Sequence, residues 1–298
     1  VWLETMKSNS ERKSIYFILV LGMICISTGA IFARLAEAPP LTIAAYRLGL
    51  SGLVLVPAAL LGKGGEVRSL TVKDWILAVI AGVLLAMHFY TWISSLTMTT
   101  VSASVVLVTT SPIWASIVAP LLGERVKGLT LAGILLSFGG AVFIGWGDIA
   151  VGGTAICGDM LALSGAVFMT AYLFAGRMLR RKVSLLVYTA ICYGSAGIVL
   201  WILVFATGTS FTGFDTLTWT MFPAMALVPQ ILGHSSYNWA LKYLSTPVVA
   251  VSLLGEPVGS SILAWLVLSE KPGVATIAGG ILILGGILLA VRGERRPD

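Results

Sequence analysis

Ten stretches of mostly apolar residues fill this 298-residue chain, at 14–36, 41–61, 74–96, 101–122, 128–146, 156–177, 184–207, 218–241, 246–268 and 274–292. An α-helix needs about 20 such residues to cross the hydrocarbon of a bilayer. The chain is 57% hydrophobic and 11% charged, with a mean hydropathy of +0.97. A soluble domain of this length would need far more polar surface to cover its core. In lipid, every backbone polar group must be satisfied within the protein, which a helix does by itself. The sequence therefore predicts an all-α integral membrane fold of ten transmembrane helices, with no room for a soluble domain.

Lysine and arginine set the expected orientation. With the N-terminus inside and strict alternation, 16 of the 19 fall in inside segments, from Lys7, Arg12 and Lys13 to Arg292, Arg295 and Arg296. Outside segments hold only Arg34 and Lys271, and Arg47 lies within the second span. Cytoplasmic loops carry the positive excess in membrane proteins. Both termini, 1–13 and 293–298, are thus expected in the cytoplasm. Ile15–Ala36 is too long for a signal-peptide core and reads as a retained first helix. The net charge of +6 belongs to this orientation pattern and implies no nucleic-acid partner. Cys25, Cys157 and Cys192 have no ligand-like spacing, so neither a metal nor a disulfide is expected.

The chain repeats itself. Thr130, Ala132, Gly133, Gly139 and Gly140 match Thr276, Ala278, Gly279, Gly285 and Gly286 at an offset of 146. Pro112 matches Pro257 and Leu96 matches Leu241 at 145, and Gly22 and Arg34 match Gly165 and Arg177 at 143. The expected units are 14–146 and 156–292, five spans each. Five is odd, so the second unit enters the membrane from the opposite side. Inverted repeats of this kind put a binding site near the midplane, between the halves. The paired glycines predict close helix packing, either within the monomer or in a homodimer.

Ionisable and polar groups at membrane depth are costly and mark functional positions. Glu256, just before Pro257, is the sharpest. Three roles stay open for it: taking and releasing a proton as water access changes, binding an ammonium group, or a structural role. His88 and His234, the only histidines, stand 146 residues apart in the two repeats. Either could titrate or simply bond a carbonyl. Trp92 lies one turn after His88, and Asn238 one turn after His234. Arg47 is expected to brace the bundle or to meet an anionic group. Phe89, Tyr90, Trp92, Trp114, Tyr237 and Trp239 could wall a pocket for a small organic solute, or serve only as packing. Trp75 and Trp219 look like interfacial belt residues. Glu124 and Glu270 read as loop caps or gates, and the prolines Pro112 and Pro257 as kinks able to move.

No phosphate-binding loop is present to couple the chain to ATP directly, and no metal motif or other cofactor signal appears. Gly233-His234-Ser235-Ser236-Tyr237 lacks the second glycine and the context of a serine-hydrolase elbow. The chain does not read as an enzyme.

These residues resemble the EamA-type branch of the drug/metabolite transporter (DMT) superfamily over the full length. The likeness is carried by Ser111-Pro112 through Leu122-Gly123-Glu124-Arg125, by Gly255-Glu256-Pro257 through Leu268-Ser269-Glu270-Lys271, and by Gly158-Asp159 through Arg177. One departure is visible: 12 steps separate Pro112 from Glu124, against 13 from Pro257 to Glu270. The resemblance implies two inverted five-helix repeats, alternating access, and a cavity lined by spans 3, 4, 8 and 9. It implies export of amino acids or related small metabolites across the inner membrane of a prokaryote, with or without proton coupling. A proton-independent facilitator, a lipid or polyprenyl-carrier translocase and a non-transporting assembly partner are the rival readings.

Overall fold

The computed structural model describes residues 9–98, 104, 107–145, 154–268 and 273–295. Ten membrane helices follow in order: α1 (Asn9–Leu35), α2 (Pro40–Ser69), α3 (Val72–Ser95), α4 (Ser111–Val118, continued by a 3₁₀ turn Ala119–Leu122), α5 (Gly128–Gly145), α6 (Thr154–Arg180) and α7 (Leu185–Thr207). The eighth, α8, runs through Thr216–Met225, a π-helical stretch Ala226–His234 and Ser235–Ala240. The ninth, α9, has two pieces, Thr246–Leu253 and Gly255–Leu268, and α10 is Val274–Arg295. Among the described residues there is no strand. Large side chains such as Leu53, Leu61 and Ile281 point outward, as lipid allows.

The sequence places the second span at 41–61, but α2 continues to Ser69 after a non-helical residue at Lys63. This extension carries Glu66, whose Oε1 accepts from the backbone N–H of Ser184 at the start of α7. Asp74 caps the start of α3 together with Thr71 and also pairs with Lys182. Glu124, after α4, pairs with Arg177 near the end of α6. The α2–α3, α4–α5, α6–α7 and α8–α9 connections thus share one face. On the other face, Glu37 N–H donates to Thr218, Thr42 to the Ser210 carbonyl and Tyr46 to the Phe211 carbonyl. Helices therefore alternate in direction as expected.

Glycine contacts reveal the pseudo-two-fold axis. A Cβ on Gly52 would stand 2.8 Å from Gly194 Cα, and one on Gly197 would stand 2.8 Å from Gly49 Cα. Gly49 and Gly52 match Gly194 and Gly197 at an offset of 145, so exchanging the repeats turns each contact into the other. The same holds between α5 and α10, where Gly133 meets Gly286 and Gly140 meets Gly279 at 2.5–2.6 Å from the added Cβ to a carbonyl oxygen. Ser137 and Thr130 of α5 donate to the carbonyls of Ile283 and Ala290. The paired glycines thus close α5 on α10 inside the monomer, whereas Gly139 and Gly285 face open space. The fold is all-α, ten transmembrane helices in two inverted five-helix repeats.

Both repeats break at one place. Helical residues 107–108 lead through a turn at Thr109-Thr110 into α4, just before Pro112, and α9 turns at Leu254, just before Pro257. Thr109 and Leu254 are 145 residues apart. Proline lacks the N–H that would bond the carbonyl four residues back, so the helix opens there. The shorter path from Pro112 to Glu124 is taken up by the 3₁₀ turn and by Gly123, whose φ of 76° ends the helix in the left-handed region.

Candidate functional site

The two broken helices and the π stretch meet α2, α3 and α6 around one cavity. Its lining includes Arg47 (α2), His88, Phe89 and Trp92 (α3), Ser111 and Pro112 (α4), Met169 (α6), His234 (α8), and Ala250, Leu253, Leu254 and Glu256 (α9). Space free of protein atoms, counted to the open mouth, is about 500 Å³. It is narrow, with room for only a few waters, so a solute must widen it.

Phe89 is the hub. The Arg47 guanidinium lies over its ring at 4.1 Å, His234 meets it edge-on at 5.3 Å, and His88 at 4.9 Å. His88 is anchored: its Nδ1 lies 2.9 Å from the Gly165 carbonyl, and its ring is parallel to Trp92. No protein hydrogen bond to the His234 ring occurs among the described residues. Arg47, 4% exposed, donates from Nε to Gln230 Oε1 at 2.8 Å. Gln230 sits in the π stretch, behind Pro229. The missing N–H of Pro229 loosens the helix, and Ser51 of α2 donates to the Ala226 carbonyl at its start.

Glu256 is the second residue of the second piece of α9, is half-buried and lines the cavity. Tight packing on α1 fixes its backbone. Gly255 lies against Met23, Gly259 lies against Ser27, and Ser260 donates to the Ser27 carbonyl. Among the described residues no hydrogen bond or ion pair engages its carboxylate, and Arg47 is not within ion-pair distance of it. A fixed cation and a carboxylate thus face one narrow space without cancelling in direct contact.

Five of the residues expected from the sequence as binding, bracing or kinking groups line the cavity beside Glu256: His88, His234, Trp92, Arg47 and Pro112. Others lie elsewhere. Asn238 is fully buried, accepting from Tyr172 at 2.7 Å and donating to Tyr193 at 3.0 Å, and its carbonyl takes Arg180 Nε. Tyr237 is buried against Gly22 of α1, its hydroxyl toward the Ser252 carbonyl. Trp114, 38% exposed, bonds Thr110 one turn back. Trp239 packs on Tyr243 near the α8–α9 turn. Pro257 is buried beside Glu256 without lining the cavity. Trp75 and Trp219 are exposed, as belt residues would be. Gln230 escaped the sequence reading, although it is the only glutamine in the chain and lies inside a span.

Beneath the cavity, on the face of the α4–α5 and α8–α9 connections, the protein is closed. Tyr172, Tyr188, Tyr193, Leu241 and Val248 are at most 1% exposed. Glu124 forms an ion pair with Arg177 and accepts from the N–H and hydroxyl of Thr246, which starts α9. Arg177 also donates to the carbonyls of Leu241 and Leu244 at the end of α8. One ion pair therefore ties together the ends of α4, α6, α8 and α9. Glu270, the expected counterpart of Glu124, lies outside the described residues.

Inverted repeats enclosing a polar cavity at membrane depth define a multi-pass membrane transporter of small molecules, not an enzyme. The EamA-like transporter family matches this chain twice, over residues 13–146 and 156–292, and the chain belongs to that family. Relatives include an uncharacterized transporter of Archaeoglobus fulgidus, 27% identical over 92% of this chain and 96% of its own. The uncharacterized transporter YdfC of Bacillus subtilis is 23% identical over 95% and 92%. A solved crystal structure, 20% identical, superposes with a TM-score of 0.80 over 95% of this chain and 98% of its own, and so shares the fold.

Proposed function

We propose that this protein is a secondary transporter that exports amino acids or closely related metabolites by alternating access. In this reading the units 14–146 and 156–292 are the two moving halves, with 1–13 and 293–298 as cytoplasmic tails in a prokaryotic inner membrane. One observation carries the reading: a single cavity between the repeats gathers Glu256, Arg47 and both histidines beside aromatic walls. Pockets for small organic solutes have this make-up. Glu256 is the coupling group, taking a proton or a substrate ammonium in one facing state and releasing it in the other. His88 and His234 orient the substrate, Trp92 walls it, and Pro112 and Pro257 mark the hinges. The Glu124–Arg177 knot closes the cytoplasmic side, so the closed face seen here supports an outward-directed release state.

Counterflow of labelled amino acids in proteoliposomes tests this, comparing the native chain with Glu256→Gln under pH gradients of both signs. Native transport should respond to the gradient and the variant should not. Equal pH dependence in both would remove Glu256 from coupling, and native transport indifferent to the gradient would make the protein a facilitator.

A further inference from the structure

Arg47 poses an electrostatic problem. A cation buried at membrane depth is expensive unless it is paired. Among the described residues no carboxylate lies within ion-pair distance of it. Glu256 attracts it across the cavity without direct contact, and its immediate surroundings hold it in place. Gln230 takes Nε, Phe89 covers one face of the guanidinium plane, and Gly29 of α1 lies beside Nη1. The terminal nitrogens make no protein hydrogen bond among the described residues. A guanidinium clamped on one edge and one face presents its remaining donors in a fixed fork, the geometry that takes a carboxylate with two parallel bonds.

A second donor on the same wall is also unsatisfied. Trp92 is 9% exposed, lines the cavity, and its buried Nε1–H has no acceptor among the described residues. Native proteins rarely leave such a group unpaired without a reason. Phe89 neighbours both groups, 4.1 Å from the Arg47 guanidinium and 6.3 Å from the Trp92 ring, so the two donors belong to one wall of the cavity. Glu256 faces the cavity from α9, leaving separate positive and negative positions within it.

We infer that Arg47, oriented by Gln230 and Phe89, is the carboxylate-binding subsite of this cavity, with Trp92 donating to a second acceptor on the same ligand. The substrate class is then a small carboxylate compound, zwitterionic when an ammonium also faces Glu256. This rests on the reading that the cavity is the transport site. Gln230 acts through Arg47 and is a positioning residue.

The test measures thermal stabilisation of the purified full chain, and counterflow, with three ligand sets of matched side chain. Leucine and phenylalanine carry both charges, their amides lack the carboxylate, and their 2-hydroxy acid analogues lack the ammonium. The native protein should prefer the amino acids to the amides. Arg47→Gln should abolish that preference, weakening the amino acids about 10- to 100-fold, the range for a lost charge-assisted hydrogen bond. Gln230→Leu keeps the cation and should reduce the preference partway by raising KM, which covers the case that Arg47→Gln does not fold. Native protein indifferent to the carboxylate, an equal loss for acids and amides in the variants, or binding of nothing in the panel would each overturn the subsite. Arg47-dependent binding of the 2-hydroxy acids alone would uphold it while refuting the amino-acid reading.

Discussion

Removing the Glu124 carboxylate should open the closed face of the cavity. Glu124 and Arg177 are 8% and 16% exposed in their side chains, too buried for solvent to screen the pair as it would on a surface. The same carboxylate accepts from the Thr246 N–H at 2.9 Å and its hydroxyl at 3.2 Å. Breaking a buried pair by deleting one partner costs about 3–5 kcal/mol. Glu124→Gln keeps one acceptor oxygen for Thr246, so the lower end, about 3 kcal/mol, is the appropriate figure. That corresponds to roughly a 100-fold shift from closed toward open. Ala250→Cys, on the cavity wall, reports the change in a background where Cys25, Cys157 and Cys192 are replaced. Labelling by a membrane-impermeant thiol reagent, applied from the Glu124 side, should accelerate about 10- to 100-fold in Glu124→Gln, scaling with the open fraction. Arg177→Gln should behave similarly, and the double variant should add little, since both residues belong to one network. An unchanged labelling rate, or acceleration only from the opposite side, would refute the latch.

The glycine crossings predict a sharp contrast in stability. Gly133→Val and Gly286→Val, whose Cβ atoms would stand within 2.5 Å of partner atoms, should each cost about 1–3 kcal/mol and lower the melting temperature in detergent. Gly139→Ala and Gly285→Ala face open space and should leave it unchanged or slightly raised; equal effects at all four would contradict the packing. Asn238→Leu takes the acceptor from the Tyr172 hydroxyl and one of two partners from Tyr193, which keeps Ser235 at 3.2 Å, and should cost about 1–3 kcal/mol in a thermal melt. Substrate affinity should stay within a factor of about 2, and a larger loss would return Asn238 to the binding site.

What the sequence discloses follows from what lipid permits. An apolar solvent leaves little choice but helices, so the ten spans and their alternation are legible from length and charge. Glu256, His88, His234 and Arg47 are found because a polar group in lipid must turn inward. Inward, however, does not mean toward the cavity. Asn238 turns in just as firmly and is satisfied by two tyrosines, a distinction no spacing rule makes. Tyr237, Trp114 and Trp239 mislead for the opposite reason: aromatics are apolar enough to pack or to meet lipid, so their place in a span says little. Gln230 is visible as the chain's one glutamine, inside a span, but its role appears only when the π stretch sets it beside Arg47. Arg177 and Arg180 read as orientation charges, yet both cap helix ends from within the protein.

The two repeats are alike in scaffold and unlike in chemistry. The crossings of Gly49 with Gly197, Gly52 with Gly194, Gly133 with Gly286 and Gly140 with Gly279 are preserved when the repeats are exchanged. In the proposed alternating-access cycle, backbone packing of this kind would give the two facing states similar energies, so packing alone would set no preference between them. The histidines nearly exchange, His88 with His234 at an offset of 146, one residue off the register of 145. The charges do not. At an offset of 145, Glu256 corresponds to Ser111 and Arg47 to Cys192, neither of them charged at rest. A ligand shifts a conformational equilibrium only by binding its states unequally. In this molecule the unmatched residues, Arg47 from the first repeat and Glu256 from the second, are the ones able to distinguish the states. In the proposed mechanism, exchange of the halves would move these two groups relative to each other. A zwitterion spanning them would then couple its own binding to the motion, which a symmetric pocket of two histidines could not do.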